Sequence, residues 1–452
     1  MLEFISLGGA GTVTGSKHLL SFEGHRLLVD CGLFQGLKNL RELNWAKFPV
    51  PPRDIDGVVL THAHLDHSGY LPRLVKSGFH RKIYSTPATR DVAEIILKDS
   101  GFLQEKDADF LNRHGATKHH PALPLYDARD AEHAVEHFST VEFGQTVKIA
   151  GGATLRFERA GHILGAAIAR IEWGGRRIVF SGDLGRFGDP IMFDPTFVRE
   201  ADYIVIESTY GDRLHDQEDP VEALGEIITR TIARGGTVII PSFAVGRAQS
   251  LLYYLWKLKQ DGLIGETPIY LDSPMAIDAT QIMARHPADH RLDHRICREV
   301  FSIARCTDDV EASKKITASS FPKIIIAASG MATGGRVLHH LKAFAPDEKN
   351  TIVLAGFQAA GTRGRTLAEG GKELKIHGEW IPVKAEVAQL DMLSAHADRS
   401  ELIRWLSGFR EAPRRVFIVH GEPEAAEALR VAIDRRFGWE VVVPRQDQAF
   451  TL

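Results

Sequence analysis

The sequence predicts an α/β chain in which one domain of mixed strands and helices is interrupted by a second domain built on a parallel sheet. Three observations carry this. Up to about residue 209, short apolar runs rich in β-branched residues alternate with Gly-containing turns. From about residue 210, strands alternate with helices long enough to be crossovers, which is the texture of a parallel sheet. After about residue 384 the strand-and-turn texture returns and includes RRVFIVHGEPE near the end. The expected division is therefore 1–209 with 384–452 for the first domain and 210–383 for the insertion.

The elements follow in order. EFISLGG, KHLLSFEG and RLLVDCG read as strands, and GVVLTHAH as a strand running into a polar loop. DHSGYLPRLVKSG and TRDVAEIILKDS carry helical patterns between strands. RKIYSTPAT, ATLRFERAGH, AAIARIEWGG and RRIVFSGD repeat the strand pattern, and WGGRR between the last two is a hairpin signal. In the insertion, DPVEALGEIITRTIARGG is a helix with a Gly stop, TVIIPSF a buried strand and AVGRAQSLLYYLWKLKQ a second helix. PIYLDSP, KIIIAAS and NTIVLAGF are further strands. No internal repeat or low-complexity segment interrupts this order.

Composition narrows the class. The chain has 452 residues, 44% hydrophobic and 25% charged, enough apolar material for a sizeable core and unlike a disordered or fibrous chain. Its 55 basic and 58 acidic residues leave a net charge of −3, so bulk charge does not point to nucleic acid, although a local basic groove stays open. No apolar run has the length of a membrane span, and MLEFISLGGAGTVTG lacks the basic and apolar regions of a secretory signal. Three scattered cysteines, Cys31, Cys297 and Cys306, fit a reducing compartment. The expectation is a cytoplasmic protein with no membrane partner. No further module is expected before the first strand or after the strand that carries His420, and a homo-oligomer is left open.

The chemistry-bearing signal is THAHLDH, which places His62, His64, Asp66 and His67 directly after an apolar strand. Imidazole and carboxylate are ligand types suited to zinc. Alternation puts His62 and His64 on one side, and the turn that follows can swing Asp66 and His67 toward a second ion. Other residues of the same kind end apolar runs: Asp30 in LLVDCG, His162 in ERAGHILGA, Asp183 in VFSGDLG and His420 in VFIVHGE. Any one alone reads as a structural polar residue. Together they supply a dinuclear site, which needs roughly seven protein ligands around ions held about 3.5–4 Å apart.

With these residues in view, the chain resembles the metallo-β-lactamase superfamily. IESTYGD with Glu207, LSAHAD with His396 and VHGE with His420 resemble one branch of it, the β-CASP nucleases, as do SFAVGRAQ and SGMATGGRVLHHL. That branch includes the eukaryotic mRNA 3′-end processing endonuclease and its bacterial and archaeal relatives. The resemblance covers essentially the whole chain. It implies a metallo-β-lactamase αββα sandwich with an inserted β-CASP α/β domain on a parallel sheet, and two Zn²⁺ ions per chain. One would be held by His62, His64 and His162 and the other by Asp66, His67 and His420, with Asp183 bridging. Asp30 would orient a ligand histidine from behind. His396 would sit beside the metals on Glu207.

The implied activity is a zinc-dependent ribonuclease that cuts single-stranded RNA endonucleolytically, by metal-bridged hydroxide attack with His396 as general acid. A histidine at position 420 favours RNA over DNA within the family. Substrate is expected to enter between the two domains. The alternatives are a 5′-exoribonuclease or a DNA nuclease of the same fold, or a non-catalytic RNA-processing subunit. A β-lactamase or thioester hydrolase would need neither the insertion nor the Glu207/His396 pair. His396 in SAHAD also reads as a helix-start residue, and Glu207 as a strand-end cap.

Weaker signals remain. Ser329, Gly330, Gly334 and Gly335 precede a helix, where exposed backbone N–H groups suit a phosphate; an ordinary strand-to-helix turn reads the same way. Arg247, near another helix start, suits RNA phosphate or a salt bridge. GGAGTVTG leads into a strand, so it is no dinucleotide motif. Cys31 reads as a packing residue, and His119 and His120 as solvated loop residues.

Overall fold

The computed structural model describes residues 1–115, 117 and 119–452. The chain divides into two compact units, residues 1–214 with 396–452 and residues 215–395.

The first unit holds two seven-stranded sheets. One runs in the order Ala449–Thr451, Glu3–Gly8, Lys17–Phe22, His25–Val29, Gly57–Val59, Lys82–Ser85, Phe138–Thr140. The other runs Val441–Val442, Arg415–Ile418, Tyr203–Ile206, Arg176–Phe180, Ala167–Trp173, Thr154–Arg159, Thr146–Lys148. Period-two alternation sends one set of side chains from each sheet into a shared core. Phe4, Leu20, Leu27 and Val59 of the first sheet meet Phe157, Ile171, Phe180 and Phe417 of the second. Leu19, Leu28, Val58 and Ile83 are fully or almost fully buried yet lie outside that core, so the opposite face of the first sheet is covered as well. These are the layers of the αββα sandwich.

Local sequence explains the element ends. Trp173 pairs with Arg176 across Gly174 and Gly175, whose φ values of +57° and +71° are those a two-residue hairpin turn requires. The helix Pro87–Arg113 starts at Thr86, whose hydroxyl accepts the Thr89 N–H, with Pro87 at its first position. It runs well past the TRDVAEIILKDS pattern; Gly101 inside it does not stop the helix but sits where a Cβ would stand 2.6 Å from the Asp127 carbonyl oxygen. The segment DHSGYLPRLVKSG forms two short helices, Leu65–Ser68 and Leu71–Lys76.

The second unit is a six-stranded parallel sheet in the order Arg305–Cys306, Ile269–Asp272, Lys323–Ala327, Thr237–Pro241, Thr351–Leu354, Glu386–Gln389. Its strands are apolar on both faces. Val238, Ile240, Ile324 and Ile326 join one core, and Ile239, Ile325 and Ile352 the other. A hairpin, Glu373–Ile376 with Glu379–Pro382, lies outside this sheet. The strand Glu386–Gln389 pairs parallel to Thr351–Leu354, so the sheet of the insertion extends beyond the expected boundary at residue 383. EVAQ is a short, half-exposed edge strand, and its composition does not separate it from the hairpin before it.

Candidate metal centre

The candidate ligands all lie just past the C-terminal ends of strands in the first unit. Gly57–Val59 leads to His62, His64, Asp66 and His67; Thr154–Arg159 to His162; Arg176–Phe180 to Asp183; and Arg415–Ile418 to His420. Two non-glycine residues here have positive φ, Asp30 at +59° and His420 at +51°. Such strain persists only where neighbours enforce it. The Asp30 N–H donates to the Val59 carbonyl at 2.8 Å, and the His420 N–H to the Gly9 carbonyl at 2.6 Å. Glycine at two positions lets these loops close. A Cβ on Gly32 would stand 1.6 Å from the Asp66 carbonyl oxygen, and one on Gly185 1.9 Å from that of Gly161.

Two groups of donor atoms result. In the first, His64 Nδ1 lies 3.2 Å from both His62 Nε2 and His162 Nε2. Asp183 Oδ2 is 3.4 Å from His62 Nε2 and 3.6 Å from His162 Nε2. In the second, His420 Nε2 is 3.2 Å from Asp66 Oδ2, and His67 Nε2 is 3.3 Å from Asp183 Oδ1. Asp183 thus turns one oxygen to each group. A tetrahedron of nitrogens at zinc bond lengths has edges of about 3.3 Å. The observed separations fit that figure. His67 Nε2 and Asp183 Oδ1 are buried with no hydrogen-bond partner among the described residues, the condition of atoms that face a cation. The donor set therefore fits transition-metal ions.

The electrostatics couple the whole cluster: burial would lower His67, but Asp183 and Asp30 hold it well above the ordinary imidazole value. Burial would raise the Asp183 carboxyl, but His420, His67 and His62 outweigh it and hold it well below the usual carboxylate range. Asp66 is lowered in the same way, against burial, by His420, His67 and His64. Burial, aided by the neighbouring His67, drives His62 well below the ordinary imidazole value, which favours the neutral form a metal needs.

The supporting residues are in place. Asp30 accepts the Thr61 N–H at 2.8 Å and the Thr61 hydroxyl at 2.9 Å, and lies 2.8 Å from His67 Nδ1, which leaves Nε2 facing the centre. Thr209 Oγ1 lies 3.1 Å from His420 Nδ1. Each threonine lies inside a motif, Thr61 in THAHLDH and Thr209 in IESTYGD, although the sequence does not mark its hydroxyl. Beside the first group, His396 Nδ1 is 3.1 Å from Glu207 Oε2, and its ring centroid is 4.4 Å from that of His162. Glu207 is itself fixed by the Leu184 N–H, 2.6 Å from Oε1. Burial would push His396 down, but Glu207, helped by Asp183 and Asp66, holds it above the ordinary imidazole value.

The predicted phosphate loop is organised differently. Ser329 Oγ accepts the Thr333 N–H at 3.0 Å and the Gly334 N–H at 3.4 Å, so donors expected to be exposed are engaged within the loop. Gly335, at φ +78°, and Gly330 sit where a Cβ would meet the Ala328 carbonyl oxygen and the Phe243 ring, respectively. Both are required by the turn itself. Arg247 is buried at the first residue of the helix Arg247–Gln260. Cys31 is buried, and His119 and His120 are exposed.

Comparison with known proteins decides the family. Residues 18–234 match the metallo-β-lactamase superfamily model, residues 248–367 the Beta-Casp domain, and residues 380–444 the Zn-dependent metallo-hydrolase RNA specificity domain. Ribonuclease TTHA0252 of Thermus thermophilus is 36% identical over 98% of both chains. The chain belongs to the β-CASP family of the metallo-β-lactamase superfamily. Transcription termination factor FttA of Methanosarcina mazei is 34% identical over 95% of this chain and 68% of its own length. FttA of Pyrococcus abyssi is 34% identical over 98% of this chain and 70% of its own length. A protein of unknown function from Enterococcus faecalis, at 12% identity and a TM-score of 0.54 over the whole of both chains, shares the fold. As a β-CASP protein the chain is a metal-dependent hydrolase. Among the described residues no helix is long and apolar enough to cross a membrane.

Proposed function

We propose that this β-CASP protein is a zinc-dependent ribonuclease that cuts single-stranded RNA endonucleolytically. The observation that carries the proposal is the position of Asp183 between two donor groups, with the His396–Glu207 pair beside them. The names of the relatives, a ribonuclease and transcription termination factors, support RNA as the substrate. In this reading His62, His64 and His162 would hold one zinc ion, Asp66, His67 and His420 the other, and Asp183 would face both donor groups. When bound, the two ions offset the charge of the phosphodiester and activate water for in-line attack.

The remaining work falls to the protein's own side chains. Asp30 and Thr61 fix the His67 ring so that its nitrogen stays aimed at the centre. Glu207 holds a proton on His396 Nδ1 and favours the imidazolium, which leaves Nε2–H to donate to the departing ribose oxygen. The phosphorus–oxygen bond breaks as that proton arrives, and the neutral imidazole regains a proton from solvent, to which its side chain is 17% exposed.

The test uses 5′-labelled and internally labelled RNA with matching DNA. Internal products from RNA alone are expected; stepwise release of mononucleotides would overturn the endonuclease reading, and cleavage of DNA alone the RNA reading. His396→Ala is expected to keep its zinc and lose about 10²–10⁴-fold in rate. On RNA with sulfur in place of the departing oxygen that defect should shrink sharply, since a thiolate leaves without a proton. A defect of undiminished size would remove His396 from the role of acid.

A further inference from the structure

A second pocket lies in the first unit, lined by residues that come before and after the metal-binding loop in the chain. We propose that it binds a nucleobase of the RNA strand and its flanking phosphate, an inference that rests on the ribonuclease reading. The pocket has a volume of about 550 Å³ and is lined by Trp45, Lys47, Phe48, Arg53, Tyr70 and Arg73, together with small, apolar and hydroxyl-bearing residues. None of its lining residues is acidic. Its size lies within the range of small-ligand sites.

The aromatic wall is built into the fold. The Phe48 and Tyr70 rings stack, with centroids 5.9 Å apart and planes at 27°. Behind Tyr70 the buried Lys17 ammonium lies 5.0 Å from its ring centroid and 4.4 Å from that of Phe34. The Phe34 N–H donates to Asn44 Oδ1 at 2.9 Å, and Asn44 Nδ2 returns a bond to the Phe34 carbonyl at 2.8 Å, which anchors the residue just before Trp45. Trp45 itself is 57% exposed and lines the pocket.

The chemistry selects the ligand. Exposed indole and stacked rings offer π-faces for an unstacked base, with little regard to its identity. Lys47, Arg53 and Arg73 supply the opposite charge to a phosphodiester backbone. A duplex keeps its bases stacked on one another, so the occupant is single-stranded. The location suits a subsite of the same strand. Tyr70 lies four residues after Asp66 in the chain, and its N–H donates to the Cys31 carbonyl beside Asp30.

The test pairs binding with kinetics on the full chain. Fluorescence anisotropy of labelled oligoadenylate on metal-stripped protein should show about a tenfold weaker Kd for Trp45→Ala, with Trp45→Phe restoring most of the affinity. On zinc-loaded protein, KM should rise by a similar factor while kcat stays within about twofold. Arg53→Ala should lower the salt dependence of binding by about 0.7 in slope. If wild type binds and cuts RNA and Trp45→Ala matches it in Kd and KM, the subsite is wrong and the ribonuclease reading stands. If wild type neither binds nor cuts RNA, both fall. Trp45-dependent binding of polyglutamate with none of oligoadenylate would make the pocket an acidic-peptide site and overturn the proposal.

Discussion

Each unit of the molecule buries an aspartate at a strand end beside histidine, and the two aspartates are treated differently. In the second unit, Asp272 is saturated by its own protein. Arg336 Nη1 lies 2.7 Å from one oxygen, and His340 Nε2 at 2.7 Å and the Ser313 hydroxyl at 2.5 Å face the other. In the first unit, Asp183 faces His62, His67, His162 and His420 at 3.3–3.7 Å, and one of its oxygens makes no hydrogen bond among the described residues. Both carboxyls are held below the usual range against the effect of burial, Asp183 by its histidines and Asp272 by His340, Ser313 and Arg336. The difference lies in what completes the shell. An aspartate closed by a guanidinium, an imidazole and a hydroxyl is a fold element. One left open toward converging imidazoles asks for a cation from outside.

The largest expected effect follows from that contrast. Asp183→Ala should lose activity to background and release metal from both positions, because its oxygens serve both groups; retention of one full equivalent of metal would break the comparison. Asp272→Ala should do the opposite. Removing one partner of a buried pair costs about 3–5 kcal/mol, so urea melts should show that loss while metal content of the folded protein is unchanged. Loss of metal from Asp272→Ala with stability intact would invert the assignment.

Smaller effects sharpen it. Asp30→Asn should weaken metal binding by about 10–100-fold, the usual effect of losing a group that orients a ligand histidine, as read by competition with a chelator. The acid arm of stability is smaller still. The Asp272 carboxyl has a lower pKa folded than unfolded, so its contribution is complete above the unfolded value of about 3.9 and is lost as pH falls through the lower folded value. Acid melts should therefore show the difference between wild type and Asp272→Asn narrowing only below about pH 4. A difference that narrows near neutral pH would point to another group.

These two aspartates also show what was legible in the sequence. THAHLDH, and Asp30, His162, Asp183 and His420 at the ends of apolar runs, could be read because strand alternation and abrupt loops fix where such residues point. The His396–Glu207 pair was legible only through resemblance, since the two are 189 positions apart. The pairing of Asp272 with Arg336 and His340 is not legible, because an ordinary-looking strand end meets these residues of SGMATGGRVLHHL only 64 and 68 positions later. Thr61 and Thr209 lie inside motifs, but each matters through a single hydroxyl whose contact the motif does not specify. The sheet of the insertion runs past residue 383; EVAQ, only four residues long, carries too little strand pattern to mark a member of the parallel sheet. Sequence shows where chemistry can occur. Whether a buried polar group is already satisfied depends on contacts that only the fold brings about.

The most direct test of the open shell around Asp183 is elemental analysis of the purified chain after zinc reconstitution and removal of free metal. Close to two zinc ions per folded wild-type chain are expected, with both lost in Asp183→Ala and both kept in Asp272→Ala. Wild-type protein that retains no transition metal would show that the converging imidazoles are satisfied without one, and would contradict the account at its centre.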